Sequence, residues 1–335
     1  MAITRLAILG TGGMANHHAE TLANIKGIRI VACCDIRESA ARTFSEKFNI
    51  PEYYTDLKKM LKHETLDGII NVTIDAVHCS TTLQILKHGG IHVLCEKPLA
   101  THAADANKMV KAAKKASVIN MVNLSYRASP ALQRAQKLIA AGKIGEIVHF
   151  EASYLQSWLT SKAWGDWKTG DQWLWRLSKS HGSKGVLGDV GVHILDFALF
   201  PAGEMKTVNC RLKTFPKAKG NRMGKYKLDA NDSAIITAEL KNGAIGTIHT
   251  TRLATGHTNS LRLKIHGRKG ALMIDLDESI SDLNVCYGEA IHKAKWTVIK
   301  CGKTPNNLKR FIQSIKSGVQ DQPDFARGAV IQKTL

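Results

Sequence analysis

The stretch that most restricts the fold of this chain is Leu6-Ala7-Ile8-Leu9-Gly10-Thr11-Gly12-Gly13-Met14-Ala15. The apolar run reads as a short buried strand, and residues 14–25 carry a helical pattern. The turn between them fits G-x-G-x-x-A. Gly10 permits a tight turn, Gly12 lets backbone approach a pyrophosphate, and Ala15 is small enough for close helix–strand packing. A helix that starts there offers free N–H groups and partial positive charge to phosphates. A lone glycine motif is weak. This one has a strand before it, a helix after it and Asp35 at the end of a second strand, Ile28 to Cys34. Gly10, Gly12, Gly13 and Met14 are therefore expected to hold a dinucleotide. Asp35 would accept hydrogen bonds from the adenosine ribose and repel a 2′-phosphate, which favours NAD. Arg37, two residues on, offers a 2′-phosphate a counter-charge and keeps NADP as the alternative.

Strand and helix go on alternating to residue 122. Helices are expected over 37–48, 56–62 and 78–88, and strands at 68–72, 91–94 and 117–122. Thr101 is expected to cap a helix running to 116, with Asp105 in its first turn. This spacing makes βαβ units and a parallel sheet. After Asn123 the pattern changes. A helix over 130–141, a strand over 146–154, a Trp-rich loop over 156–178 and a helix over 189–200 come first. Strands at 204–215, 232–240, 244–253, 259–266, 270–275 and 295–300 follow, separated by turn signals such as Asn242-Gly243 and Lys269-Gly270. The tail from Asn306 reads as helix. The expectation is an α/β domain over 1–122 and an α+β domain over 123–335 with a largely antiparallel sheet.

Composition removes several classes. A chain of 335 residues exceeds what one core usually serves, ~250–300 residues. No apolar run approaches the ~18 residues of a membrane span, and the first residues already read as a strand rather than a signal peptide. The seven cysteines are scattered and lack C-x-x-C spacing, which points to reduced thiols, a cytoplasmic protein and no zinc or other metal. The net charge is +19, but the lysines are spread along the chain. Their densest stretch, Lys213 to Lys227, reads as a solvated loop, and no helix-turn-helix, RNA-recognition or zinc-knuckle signature accompanies it. Nucleic acid is therefore not an expected partner.

Three features point to chemistry. Ile91-His92-Val93-Leu94-Cys95-Glu96-Lys97-Pro98 begins as a buried strand and ends in an acid, a lysine and a proline. In an open parallel sheet, ligands bind beyond the carboxyl ends of the strands, which puts Lys97 at the cleft. Its plain alternative is a strand-end lysine in a surface ion pair. Asp189 and His193 are four apart, on one face of a helix, and suit proton transfer near neutrality; a structural Asp–His pair is the alternative. Trp158, Trp164, Trp167, Trp173 and Trp175, followed by Arg176, supply flat walls for a small polyhydroxylated ligand, or else packing.

Taken together, LAILGTGGMA, CDIR, VLCEKPLA and GVLGDVGVHILDF, in this order and spacing, resemble the Gfo/Idh/MocA family (glucose–fructose oxidoreductase, inositol dehydrogenase and relatives). The resemblance extends over nearly the whole chain, including Ala141-Gly142-Lys143-Ile144-Gly145 and Asn242-Gly243-Ala244. It implies an N-terminal Rossmann domain and a C-terminal domain with a large open sheet that mediates homodimers or homotetramers. It also implies NAD(P)-dependent oxidation of a sugar or polyol hydroxyl, or reduction of the ketone. Lys97 matches the family's E-K-P lysine, with Glu96 beside it and Lys97-Pro98 implied to be cis. Asp189 and His193 match its D-x-x-x-H pair, and Tyr126-Arg127 its aromatic–arginine pair near the cleft. Relatives read T-P-N-x-x-H after the third-strand region. This chain has Thr73-Ile74-Asp75-Ala76-Val77-His78, which keeps Thr73 and His78 but puts Asp75 near the expected ribose.

The mechanism these residues suggest is hydride transfer between a secondary carbinol carbon and nicotinamide. Lys97 would hold the reacting oxygen. His193 would take the proton, with Asp189 positioning it, or the proton would leave through Lys97. Tyr126, Trp175 and Arg176 would line the substrate. A NAD-dependent glycosidase and a non-catalytic sugar-sensing regulator are the competing readings of the same motifs.

Overall fold

The computed structural model describes residues 3–335. They form two compact units, one comprising residues up to Ser125 with Pro305–Lys333, the other Tyr126–Thr304 with Thr334–Leu335.

The first unit runs β1 (Thr4–Leu9), α1 (Gly13–Ala23), β2 (Ile28–Cys34), α2 (Glu38–Phe48), β3 (Glu52–Tyr54), α3 (Leu57–His63), β4 (Gly68–Asn71), α4 (His78–His88), β5 (His92–Cys95), α5 (Ala103–Ala116) and β6 (Asn120–Val122). Among the described residues, six strands pair in parallel in the order β3-β2-β1-β4-β5-β6. The order reverses between β1 and β4, the point where open α/β sheets bind ligands. Leu6, Ile8, Cys33, Ile70 and Leu94 fill one core. Three residues are too few to show alternation, so β3 escaped the sequence reading. Two expected ends also shift. His102, not Thr101, is the N-cap of α5 and makes no side-chain cap bond. Ser117 takes the left-handed conformation (φ +53°) that ends this helix, so β6 begins only at Asn120.

The chain returns to this unit at its end. Helices Asn307–Ser317 and Phe325–Thr334 lie within the 123–335 domain that the sequence predicts, yet the structure groups them with the first unit through Lys333. The first is capped by Asn306, which accepts from Lys309 N, and its stripe of Leu308, Phe311 and Ile312 packs into the core around β1. That apolar stripe explains why the tail belongs with the first sheet.

The second unit runs α6 (Pro130–Ala140), β7 (Ile147–Leu155), α7 (Asp171–Leu174), α8 (Val192–Ala202), β8 (Met205–Lys213), β9 (Arg222–Met223), β10 (Tyr226–Lys227), β11 (Ser233–Leu240), β12 (Ile245–Thr251), β13 (Ser260–Gly267), β14 (Gly270–Asp275), β15 (Asp282–Tyr287) and β16 (Thr297–Lys300). Its large sheet has the order β16-β15-β14-β13-β7-β12-β11-β8 and is antiparallel except where β12 meets β7. One face alternates Phe150, Ala152, Ile248, Leu263 and Ile265 into the core with the buried helix α8. In the stretch Lys213–Lys227, Lys213, Lys219, Arg222, Lys225 and Lys227 are exposed as expected, but Lys217 is not solvated and the stretch is not all loop. It folds into the β9–β10 hairpin, Tyr226 joins a cluster with Trp158 and Trp167, and Lys217 is buried against Asp232 at 2.6 Å. No described helix is long and apolar enough to cross a membrane.

Candidate active site

In the first unit the glycine turn forms as its sequence requires. Gly10 has φ +89°, and a Cβ there would lie 2.6 Å from Val72 O, so no other residue fits. Gly12 is the N-cap of α1 with no side-chain cap bond, and a Cβ built on Gly12 or Gly13 meets nothing within 4 Å. The protein itself does not demand glycine at these two positions. Open space before an uncapped helix N-terminus is what a pyrophosphate needs, so the residues fit a dinucleotide. Met14 is half exposed beside them.

Asp35 follows β2 and ties this loop together. Its Oδ2 accepts from Thr11 N at 3.0 Å and Thr11 Oγ1 at 2.9 Å, and its Oδ1 accepts from Arg37 N at 3.0 Å. Burial favours the neutral acid, but these N–H and O–H donors outweigh it and lower the pKa. Arg37 Nε reaches the same Oδ1 at 3.4 Å from an exposed side chain.

The ends of β4 and β5 hold the other predicted residues of this unit. Thr73 donates to Asn71 Oδ1 at 2.8 Å, and Asp75 lies in a short 3-10 turn after it. His78 is fully buried, with Nδ1 2.8 Å from Pro98 O and Nε2 2.9 Å from Thr73 O. Its ring is therefore a brace for the backbone on either side and has no nitrogen left for a cofactor. Glu96 also points inward. It accepts from His18 Nε2 at 2.7 Å, Asn123 Nδ2 at 2.6 Å and Lys97 N at 3.1 Å. This fixes the backbone at Lys97, which is half-buried and precedes a cis bond to Pro98, as the resemblance implied.

In the second unit, the helix expected over 189–200 forms, with a π-bulge in its first turns. A π-turn spans Leu187–Gly191 and α8 starts at Val192. Bonding to i+5 widens the turn locally, a feature frequent at functional sites. Asp189 is held by Arg252, Nη2 to Oδ2 at 2.9 Å, with Arg176 Nε 3.8 Å from the same oxygen. His193 is buried with its ring edge-on to Tyr126 at 5.1 Å and to Tyr154 at 6.4 Å. A polar chain leads away from it: Tyr126 and Tyr154 share a hydroxyl contact at 3.0 Å, and Tyr154 donates to Asn259 Oδ1 at 2.5 Å. Burial, then the neighbouring Tyr126, raises the Tyr154 pKa and keeps it neutral.

The aromatic loop divides. Trp158 and Trp167 are core, and Trp175 carries the Arg176 guanidinium 4.6 Å above its ring. Arg127, expected near a cleft beside Tyr126, is buried in an ion pair with Asp196 and stacks on Phe200 at 3.8 Å. The structure thus brings Arg176 to Asp189 and Tyr126 to His193. It adds His18, Asn123, Tyr154, Asn259 and Arg252, for which the sequence carries no local spacing signal.

A model of the oxidoreductase family with an NAD-binding Rossmann fold matches residues 4–124, and one of the GFO/IDH/MocA C-terminal domain matches 132–273. Levoglucosan dehydrogenase of Pseudarthrobacter phenanthrenivorans is 28% identical over 257 residues, covering 72% of this chain and 64% of its own length. The chain thus spans somewhat less than two thirds of that relative. D-glucoside 3-dehydrogenase of Escherichia coli is 28% identical over 340 residues, covering 99% and 93% of the two chains. A solved structure of levoglucosan dehydrogenase with NADH and L-sorbose superposes with a TM-score of 0.86 at 23% identity, covering 99% and 94%, and so shares the fold. Glycine turn, E-K-P strand end, D-x-x-x-H segment and both domain matches agree, and this chain belongs to the Gfo/Idh/MocA family of oxidoreductases.

Proposed function

We propose that the protein oxidises a carbinol carbon of a sugar or polyol, or reduces the matching ketone, with NAD and with NADP as the weaker partner. The observation that carries this is the loop at Gly10–Gly13, open at Gly12 and Gly13, in the same parallel sheet as Lys97 at the end of β5. Bound nicotinamide supplies the hydride acceptor or donor. Lys97 holds the substrate oxygen and stabilises alkoxide charge as it develops. His193 takes the hydroxyl proton, so the carbon loses a hydride and the oxygen a proton and a carbonyl forms. Tyr126, Trp175, Arg176 and Asp189 bind and orient the substrate. Asp35 faces the adenosine ribose, with Gly10, Gly12, Gly13, Met14, Arg37, Thr73 and Asp75 around the cofactor. Glu96 and His78 act from behind.

The names of the two relatives supply the first panel, levoglucosan and D-glucosides, to which a polyol such as myo-inositol is added, each with NAD and NADP in parallel. Appearance of reduced-nicotinamide absorbance is the expected result. Sugar release without net absorbance change would favour the glycosidase reading, and full turnover in both Lys97→Ala and His193→Ala would overturn the mechanism. Strong NADP preference would overturn the role given to Asp35.

Two further readings go with this function. The scattered free thiols fit a cytoplasmic setting. The solvent face of the large sheet exposes Ile235 at 58% and Ile245 at 59%, which suits self-association into dimers or tetramers. Sedimentation of the purified chain tests that association.

A further inference from the structure

We propose that Arg252 is a positioning residue of the reaction: from a fully buried seat it fixes Asp189 as an anion, so that Asp189 orients the substrate hydroxyl and leaves the proton to His193. This rests on the function proposed above, and nothing in the local sequence marks Arg252.

The seat is built from several sides. Arg252 is 0% exposed, whereas the Asp189 side chain is 27% exposed. One guanidinium nitrogen donates to Asp189 Oδ2 at 2.9 Å and another to Arg176 O at 3.1 Å, so a single planar group ties the carboxylate to the aromatic loop. Trp158 lies 5.1 Å beneath the guanidinium. Arg252 N also donates to Asp232 O, and the Asp232 carboxylate accepts from Lys217 Nζ at 2.6 Å and Phe215 N at 2.8 Å. Arg252 feels the charges of both Asp232 and Asp189, so Lys217, Asp232, Arg252 and Asp189 alternate in charge out to a partly exposed carboxylate.

The charge logic follows. A guanidinium does not lose its proton in a protein, and here water cannot screen it. An opposite charge at hydrogen-bond distance lowers the proton affinity of a carboxylate. Arg176 adds a second positive group at 3.8 Å. Tyr154 on the sheet also feels the Asp189 charge, and it stays neutral. Asp189 is thus a poor base and a well-aimed acceptor, a division of labour that leaves proton removal to the histidine on α8.

The test begins without substrate. Carboxyl-13C aspartate labelling of the full chain follows Asp189, assigned through Asp189→Asn. Its midpoint in Arg252→Met should lie above that of wild type. Turnover is then read with NAD on the fastest compound of the panel. Arg252→Met should lower kcat by more than about tenfold, leave the KM for NAD unchanged, and cost nothing further in the Asp189→Asn background. An unmoved midpoint, or losses that multiply in the double variant, would overturn the inference. Should Arg252→Met fail to fold, Arg252→Lys keeps the charge but cannot bridge both acceptors, and its kcat must still fall with KM for NAD unchanged. Wild-type turnover in Asp189→Asn, with the midpoint shift present, would overturn the part of Asp189 in the proposed reaction and not its coupling to Arg252.

Discussion

Glu96 and His18 form a buried pair, with the ring Nε2 2.7 Å from the carboxylate Oε1, directly behind the backbone of Lys97. Burial alone would raise the Glu96 pKa, but the His18 and Asn123 hydrogen bonds reverse this and lower it to about 2. A depressed carboxylate stabilises the fold fully above its unfolded value and loses that contribution as pH falls through the folded value. Glu96 should therefore contribute about 3 kcal/mol at neutral pH. Melting curves of wild type and Glu96→Gln should differ at pH 7 and converge between pH 5 and 2. A gap that stays constant over that window would disprove the coupling.

His78 carries the opposite sign. Burial disfavours its charged form, yet Cys95 beside the ring and the Pro98 carbonyl outweigh it and push the pKa up to about 10. Two carbonyl acceptors, at 2.8 and 2.9 Å, are both satisfied only by a ring protonated on both nitrogens. A raised pKa gives stability that is present below the unfolded value and lost as pH rises through the folded one. His78→Gln, which can donate from one end only, should therefore cost more at pH 6 than above pH 10. Ring 15N shifts should show both nitrogens protonated at pH 8; a titration near the ordinary histidine value would sink the assignment.

The glycine turn separates folding from binding. Gly10→Ala meets Val72 O at 2.6 Å from a left-handed φ, so it should destabilise the protein by about 1–3 kcal/mol. Gly12→Ala meets no protein atom within 4 Å and should change stability by no more than about 0.5 kcal/mol. Its methyl group instead occupies space assigned to the pyrophosphate, so NADH affinity should fall at least about tenfold, or 1.4 kcal/mol. NADH fluorescence titration beside thermal melting reads both, and unchanged NADH binding by Gly12→Ala would refute the phosphate assignment.

How much of this was legible follows from the range of each interaction. Gly10, Asp35 and the Lys97–Pro98 strand end are set by neighbours in the chain, and their residue types announce the turn, the acid and the end of the ladder. The helix through Asp189 and His193 is legible, but its π-bulge is not, because a π-turn differs from an α-turn by one bond register that no side chain spells out. Arg252 and His18 were invisible for another reason. Their partners are 63 and 78 residues away, and only the sheet register brings them together. The tail helix was readable as a helix, with its stripe of Leu308, Phe311 and Ile312, but a stripe does not say which core it enters.

Lys217 shows the same limit in a stability test. In sequence it is one cation among many in a glycine-rich stretch; in the fold its side chain is 3% exposed and its partner Asp232 is 0% exposed. Removing one member of a buried pair leaves the other charge uncompensated, which costs about 3–5 kcal/mol. Lys217→Met should show a loss of that size, whereas Lys219→Met, on the exposed turn two residues on, should stay within about 0.5 kcal/mol. Because Asp232 lies next to Arg252 along the buried charge series, Lys217→Met should also lower kcat while the KM for NAD holds. Equal melting temperatures for the two variants would refute the buried role of Lys217.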